Sequence, residues 1–272
     1  ERNAELIRHF KPKTILETGT WNGGRAIEMA LASFENTDTV EYYGFDLFED
    51  ATIETDKEEF NVKAHNTMEA VEKRLEEFKV KMKEKNKTFN YVLTKGNTRE
   101  TLKAENLFKF LPTIDYAFIG GGDSVITKQS DYDCLKHIPV VVIDNYFSKD
   151  KDGNTVKPEY CGTNKVKDSL SKTIKNNILP SEDLVRGGGN THLLLIVNDD
   201  KLPSPPRHLF SVPIKVNPRD CVPKDYIRDN IKTNFKLIDK WLGKFPMHDN
   251  KCIIVSGGPY TDYKKLQALI KN

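Results

Sequence analysis

The residues whose types and spacing point most directly to chemistry lie in the stretch 14–24, Thr-Ile-Leu-Glu-Thr-Gly-Thr-Trp-Asn-Gly-Gly. Apolar residues precede Glu17, and Gly19 and Gly23 come after it, before a stretch with the pattern of a helix. Because glycine has no Cβ atom, a strand–turn–helix of this kind lets backbone N–H groups approach a ligand closely. The spacing Glu-x-Gly-x-x-x-Gly differs from the Gly-x-Gly-x-x-Gly of dinucleotide-binding turns. The alternative is an ordinary turn in which the glycines serve packing.

A second acid, Asp46, ends the next predicted strand, Thr39–Asp46. In a nucleotide-binding α/β sheet, an acid at the tip of this strand accepts hydrogen bonds from the ribose hydroxyls. The alternative is an Asp that caps the following turn. The pairing of Asp46 with Glu17 and the glycines favours the nucleotide interpretation.

Polar residues also follow three later strands, whose sequences are rich in apolar residues. The candidates are Asn97 and Thr98 after Phe89–Lys95, Asp123 after Ile114–Gly120, and Asp144 and Asn145 near the end of Pro139–Tyr146. The carboxyl ends of parallel strands meet at one edge of a doubly wound α/β sheet, where ligands bind. We therefore expect these residues to converge on one cleft. The alternatives are that Thr98 simply caps a helix and that Asp144 and Asn145 form a turn.

Apolar periodicity predicts the elements around this sheet. Helices are expected at 3–10, 25–34, 55–87, 129–137 and 163–173, and a closing hairpin at 183–187 and 191–198. The longest helix, Thr55–Lys87, is amphipathic, and its start, with His65, is either plain solvated surface or part of a substrate lid. The polar stretch Ser148–Thr163 is expected to be a loop over the cleft.

Composition excludes several classes of function. The chain has 272 residues, 38% apolar and 30% charged, with a formal net charge of +2. This balance provides no strong field for nucleic acid or a membrane surface, and no apolar run approaches the ~20 residues of a membrane span. The four cysteines form no Cys-x-x-Cys pair, so we expect no zinc site and a reducing, cytoplasmic setting. The expected partner is a small-molecule substrate, and self-association as a homo-oligomer is left open.

Several of these segments occur in the order found in class I S-adenosylmethionine (SAM) methyltransferases, and from Lys13 to Asn198 the chain resembles that family. The segments that carry the resemblance are Glu17–Gly23, Asp46, Gly96–Leu102, Ile114–Asp123 and Val142–Phe147. The closer likeness is to the branch that includes metal-dependent sugar O-methyltransferases of macrolide biosynthesis and catechol O-methyltransferase. It implies a seven-stranded Rossmann-like sheet with an antiparallel seventh strand, and SAM-dependent methylation of a small polar acceptor such as a sugar oxygen. The alternative is a SAM- or nucleotide-binding module without transfer activity.

The resemblance also implies roles for single residues. Asp123 and Asp144 would act in catalysis, and SAM would be bound by Glu17, Gly19, Thr20, Gly23, Asp46, Leu47, Asn97 and Thr98. In the metal-dependent branch, Mg²⁺ lowers the pKa of the acceptor hydroxyl, and Asp144 with Asn145 matches one pair of its ligands. Gly120 stands where the branch has an Asp ligand, so Asp123 would have to substitute for it. Metal dependence is therefore left open.

The remaining residues, 200–272, are predicted to form a C-terminal helix–strand–helix extension after a proline-rich linker. Its elements are expected at Pro223–Leu242, Lys251–Ser256 and Thr261–Lys271. The stretch Cys252–Pro259 resembles the opening of the DUF115 or MptE-like family, with Tyr260 in place of the usual Ser. The predicted domains are thus 1–199, which would bind SAM, and 200–272, which either begins a second domain or packs on the first.

Overall fold

The computed structural model describes residues 2–103, 107, 111–147, 161–180, 191–206 and 209. The chain separates into two compact units, Glu1–Val212 and Pro213–Asn272, and every described residue belongs to the first. The predicted elements of the C-terminal extension, from Pro223 onward, and most of the predicted loop at Ser148–Thr163 lie outside the described residues. The predicted boundary at 199/200 stays a prediction.

Seven described strands form one sheet at the centre of the first unit. They are β1 (Thr14–Thr18), β2 (Thr39–Asp46), β3 (Thr88–Lys95), β4 (Tyr116–Ile119), β5 (Val140–Phe147), β6 (Lys175–Pro180) and β7 (Thr191–Val197). Their order is β3-β2-β1-β4-β5-β7-β6, and β7 runs antiparallel to both of its neighbours, β5 and β6, whereas the other pairs are parallel. The predicted doubly wound α/β sheet with an antiparallel seventh strand is confirmed. The order reverses between β1 and β4, which is the switch point where open α/β sheets bind ligands.

The central strands are buried on both faces. All of β1 and β4 is buried, as are the first four residues of β5. Ile15 and Phe118 belong to the apolar core on one face, and Leu16 and Ile119 to the core on the other. A central parallel strand covered by helices on both sides is typically a continuous apolar run, as in β4 and the first four residues of β5, which is why sequence alone located these two strands closely.

Helices supply the layers on either side of the sheet. The described ones are α1 (Arg2–Phe10), α2 (Gly24–Ser33), α3 (Ile53–Glu58), α4 (Met68–Lys83), α5 (Thr98–Thr101), α6 (Val125–Leu135) and α7 (Gly162–Ser169), with a 3-10 turn at Phe48–Asp50. The predicted apolar stripe of α4 is confirmed, because Val71, Leu75, Phe78 and Met82 are its buried residues. None of the helices described above is long and apolar enough to cross a membrane.

The predicted single helix Thr55–Lys87 is wrong, because the structure has two helices, α3 and α4, separated by residues 59–67. Phe60 has a left-handed backbone with φ 55°, which cannot continue a helix. Thr67 starts α4 by accepting a hydrogen bond from the Ala70 backbone N–H at 3.2 Å. Phe60 and Ala64 fit the apolar period of α4, so periodicity hid the break.

The sixth strand also differs from the prediction. β6 is Lys175–Pro180, whereas a strand was expected at 183–187, which lies outside the described residues. β6 is at one edge of the sheet and pairs antiparallel with β7, so β7 has the predicted orientation but its partner is 175–180, and the predicted pairing with 183–187 stays a prediction. Its polar start, Lys175-Asn176-Asn177, lacks the apolar alternation that identifies a strand from sequence.

Candidate functional site

The glycine turn after β1 has the backbone shape that the sequence predicted. Gly19 and Gly23 both have left-handed φ angles, 80° and 74°. A Cβ atom at Gly19 would lie 2.4 Å from the backbone nitrogen of Gly121, which follows β4. The Gly19 N–H also donates to the Phe45 carbonyl of β2 at 2.8 Å. Only glycine fits this position, where the β1, β2 and β4 ends meet.

Glu17 lies fully buried in β1, just before this turn. Its Oε2 accepts a hydrogen bond from the Tyr42 hydroxyl at 2.6 Å, and its Oε1 is 3.9 Å from Nη1 of Arg25. Burial raises the pKa of Glu17 to about 7, against the opposing effects of Arg25 and Tyr42. Thr20 is also buried, with its hydroxyl 3.3 Å from that of Tyr42. Glu17 is thus a buried acid below the turn whose negative charge is partly stabilised by Tyr42 and Arg25.

Asp46 lies at the end of β2 and ties the two neighbouring loops together. Its Oδ2 accepts from the backbone N–H of Trp21 in the glycine turn, and its Oδ1 accepts from that of Phe48, each at 2.8 Å. Leu47, the residue after Asp46, is the N-cap of the 3-10 turn at Phe48–Asp50. Each carboxylate oxygen has a second lone pair, so Asp46 keeps the capacity to accept from two ribose hydroxyls.

The residues after β3 are arranged differently from the prediction. Asn97, not Thr98, is the N-cap of α5, and its Oδ1 accepts from the Arg99 backbone N–H at 3.0 Å. The alternative that Thr98 caps the helix is therefore wrong by one residue, because the cap is its neighbour Asn97. Burial raises the pKa of Asp131 on α6, and the Thr98 hydroxyl acts in the opposite direction. A role for Asn97 and Thr98 in binding SAM stays a prediction.

Acidic and basic side chains meet at the carboxyl ends of β1, β4 and β5. We call Glu17, Arg25, Asp123, Lys128 and Asp144 the carboxylate–cation cluster. Arg25 Nη1 lies 3.5 Å from Asp144 Oδ2, and Lys128 Nζ lies 3.5 Å from Asp123 Oδ1. Lys128 is fully buried, and its Nζ also donates to the Ile119 carbonyl at 3.4 Å. The cluster brings together three predicted acids and two basic residues that sequence reasoning missed.

Asp144 lies where β5 breaks its regular pairing with β7. Burial raises its pKa, and Lys128 and Arg25 act in the opposite direction. Its Oδ1 has no hydrogen-bond partner within the described part of the chain. The next residue, Asn145, has a left-handed φ of 58° and donates its amide to both carboxylate oxygens of Asp123, at 2.9 and 3.0 Å. This irregular strand end holds Asp123 and Asp144 in one place.

The resembled branch implies a divalent metal here, and the residues present do not fit one. Asn145 turns its amide nitrogen, not an oxygen, toward Asp123. Two cationic side chains, Lys128 and Arg25, already lie within 3.5 Å of the acids. Across the described ranges, no group of three His, Cys, Asp or Glu side chains is arranged to hold a metal ion. Gly120 supplies no ligand either.

The segment between β2 and α4, residues 51–67, crosses the same edge of the sheet, and we call it the crossing segment. Glu59 accepts from the Ser124 backbone N–H at 3.1 Å and its hydroxyl at 3.0 Å, and contacts the Thr127 hydroxyl. Glu58 forms a two-bond ion pair with Arg99, at 2.7 and 3.1 Å. These contacts anchor the segment to the loops after β3 and β4. The lid interpretation of this stretch stays a prediction.

His65 belongs to a local network of the crossing segment. Its Nε2 lies 2.7 Å from Oδ1 of Asp56, and Asn61 donates to the same oxygen at 2.8 Å. Trp21 fastens the segment to the glycine turn, because its indole N–H donates to the Ala64 carbonyl at 2.9 Å. His65 thus has a structural explanation, and its contacts assign it no chemistry.

Comparisons with known proteins give distant structural similarities. No family model matches the chain, and no curated protein matches it. An O-methyltransferase from Bacillus cereus in complex with S-adenosylhomocysteine (SAH) is 14% identical, with 72% of this chain and 79% of that chain covered and a TM-score of 0.48.

Two further solved structures are similar to a comparable degree. The O-methyltransferase TomG from Streptomyces achromogenes, involved in tomaymycin synthesis and in complex with SAM, is 16% identical, with 72% and 78% covered and a TM-score of 0.44. A TDP-rhamnose 3'-O-methyltransferase of calicheamicin biosynthesis is 16% identical, with 73% and 78% covered and a TM-score of 0.49. All three TM-scores lie below 0.5, so a function has to be inferred from the site itself.

Proposed function

We propose that the chain binds SAM and transfers its methyl group to a small polar acceptor, with an oxygen as the methylated atom. The observation that carries this proposal is the junction of the glycine turn with Asp46 at the switch point of the sheet. Trp21 of the turn donates its backbone N–H to Asp46, so the two predicted SAM-binding elements form one surface. An open α/β sheet binds its ligand at this point.

The proposed roles follow from the chemistry of each group. Asp46 accepts hydrogen bonds from the ribose hydroxyls, and Glu17, when ionised, attracts the ammonium group of the methionine part. The glycine turn provides backbone N–H groups at close range. The sulfonium of SAM is already activated, so the protein has only to align the acceptor with it and remove a proton.

Asp144 is our candidate for the group that removes the acceptor proton. Its side chain is 16% exposed and its Oδ1 has no hydrogen-bond partner among the described residues. Burial raises its pKa, which makes an ionised Asp144 a better proton acceptor than an ordinary carboxylate. Asp123, held by Asn145 and Lys128, is proposed to orient the acceptor.

Calorimetry with SAH tests the binding step directly. We expect one site per chain in the wild type and at least about tenfold weaker binding in Asp46→Ala, because hydrogen bonds to a charged group are lost. Asp133→Ala is the matched control, since Asp133 is exposed on α6 and pairs with Lys136. Equal affinity in wild type and Asp46→Ala would remove the ribose assignment.

A methyl-transfer screen tests the second step. Tritium-labelled SAM with sugars and other polyhydroxyl acceptors should give labelled product, and Asp144→Asn should lose at least about tenfold in rate. The alternative, a SAM-binding module without transfer activity, predicts SAH binding and no labelled product with any acceptor. Gly120, which stands where the resembled branch has an acid, is the feature that motivates this alternative.

A further inference from the structure

We propose that Lys128 and Arg25 supply, at the acceptor end of this site, the positive charge that the resembled branch draws from Mg²⁺. The chain then needs no divalent metal. The placement of the acceptor rests on the proposed function, whereas the exclusion of a metal rests on the carboxylate–cation cluster alone.

The first observation is the burial of Lys128. Its side chain has no exposed surface, yet its two contacts within the described residues are long, 3.5 Å to Asp123 and 3.4 Å to the Ile119 carbonyl. An ammonium has three donors and is costly to bury without good partners. Lys128 therefore retains a donor capacity that these two contacts do not fill, at the edge of the sheet where the ligand would bind.

The second observation is the position of Arg25. A Cβ atom at residue 120 would lie 2.7 Å from Nη1 of Arg25. In the resembled branch an Asp side chain, a metal ligand, begins at that position. Here the guanidinium fills the space, stacked over the Phe118 ring at 4.2 Å and 3.5 Å from Asp144.

The third observation is where the two cations lie on their helices. Arg25 is in the first turn of α2 and Lys128 is in the first turn of α6. The helix dipole disfavours a positive charge there, so neither helix benefits from its presence. The acids that they face, Asp144 and Asp123, explain both positions. Lys63 of the crossing segment adds a more distant positive charge that also lowers the pKa of Asp144.

These positions determine what the cations can do. A hydroxyl that approaches Asp144 would meet two fixed positive charges, which stabilise the negative charge that develops on its oxygen during methyl transfer. A divalent ion beside the same acids would be repelled by both side chains. The two side chains would thus stabilise the developing negative charge, as a metal ion does, and would also keep a divalent ion from binding.

A titration with Mn²⁺, followed by the paramagnetic resonance signal of the free ion, tests the inference without an activity assay. We expect no site tighter than about 1 mM in the wild type. Lys128→Met removes the cation beside Asp123 and leaves Arg25 as the only cation of the cluster, so this variant should bind Mn²⁺ at least about tenfold more tightly than the wild type. Lys136→Met, at an exposed lysine just after α6, is the control and should behave as the wild type.

Two results of the Mn²⁺ titration would overturn the inference. One is a stoichiometric Mn²⁺ site in the wild type that Asp144→Asn removes, a measurement that does not depend on whether Lys128→Met folds. The other is a folded Lys128→Met variant that gains no affinity for Mn²⁺. SAH calorimetry with and without EDTA is run in parallel: absence of SAH binding contradicts the proposed function, whereas loss of SAH binding in EDTA contradicts the metal-free site.

Discussion

The two halves of the candidate site hold their polar groups in different ways. At the β1–β2 end the backbone holds them. Asp46 accepts hydrogen bonds from two backbone N–H groups at 2.8 Å, and a side chain at Gly19 would collide with the Gly121 backbone. At the β4–β5 end side chains hold side chains, and the Lys128–Asp123 and Arg25–Asp144 distances are both 3.5 Å. In the first half Asp46 and Gly19 are held by backbone hydrogen bonds and backbone contacts, whereas in the second the charged side chains are loosely paired.

This difference indicates a division of labour. A backbone-built half suits a ligand part that never changes, such as a nucleotide. Buried charges with incomplete partners cluster at functional sites, where an incoming group completes them. We therefore assign the cofactor to the first half and the acceptor to the second, and the predictions below test that division.

The largest effect is expected from Lys128→Met, in the loosely paired half. Removing one partner of a buried charge cluster leaves carboxylates without compensation, which costs about 3 to 5 kcal/mol of the free energy of unfolding. Lys136→Met, on the surface, should cost less than about 0.5 kcal/mol. Urea unfolding of both variants checks this. Equal small effects would mean that Lys128 is not tied to the acids.

Gly19→Ala tests the backbone-built half. The new Cβ atom would be forced against the Gly121 backbone in a left-handed conformation, so we expect a loss of about 3 kcal/mol in the free energy of unfolding. Gly24→Ala is the control, because its Cβ atom would meet only the Asn22 side chain, which can move. Urea unfolding of the two variants measures the difference. Similar stabilities would show that the turn is not fixed by backbone contact.

Asp131→Asn tests how much the ionised form of this buried acid lowers the free energy of unfolding. Burial raises the pKa of Asp131 from 3.8 to about 6, so the folded state holds this proton more tightly than the unfolded state. Stability from the protonated form is present below pH 4 and is lost as the pH rises through 6, by up to about 3 kcal/mol. The variant should therefore be the more stable protein at pH 7.5 and lose this pH dependence.

The measurement for Asp131 is the free energy of unfolding against pH between 4 and 8. Asp133→Asn, at an exposed neighbour on the same helix, should keep the wild-type curve shape. If the curves for Asp131→Asn and wild type run parallel, ionisation of the buried Asp131 carboxyl does not lower the free energy of unfolding.

The smallest effect concerns the ionisation of Glu17. Its pKa of about 7 means that the ionised form grows about tenfold between pH 6 and pH 8, and SAH affinity should rise in proportion. Calorimetry at the two pH values checks this, and Glu17→Gln should show no such rise. A wild-type affinity that does not change with pH would separate Glu17 from the ligand.

The sequence was informative for the backbone-built half. Gly19 and the strands β4 and β5 could be predicted because a left-handed turn needs glycine and a doubly covered strand is rich in apolar residues. Asp46 could be placed because it directly ends the predicted second strand. Capping was harder: Asn and Thr both cap well, so the start of α5 was predicted one residue late.

The side-chain-built half could not be read from the sequence. Lys128 is one of 42 Lys and Arg residues, and the residues next to it in the sequence do not indicate that it is buried. An electrostatic signal exists, because both Arg25 and Lys128 occupy the first turn of a helix, where a cation is disfavoured. For Lys128 it could not be used, because the sequence predicted that helix to begin at residue 129, whereas it begins at Val125.

A crystal structure of the complex with SAH tests the division of labour most directly. We predict that the ribose hydroxyls lie within hydrogen-bond distance of Asp46, with the amino-acid end beside Glu17 and the sulfur facing Asp144 and Lys128. SAH bound away from the glycine turn, or with its sulfur turned from the carboxylate–cation cluster, would contradict the account.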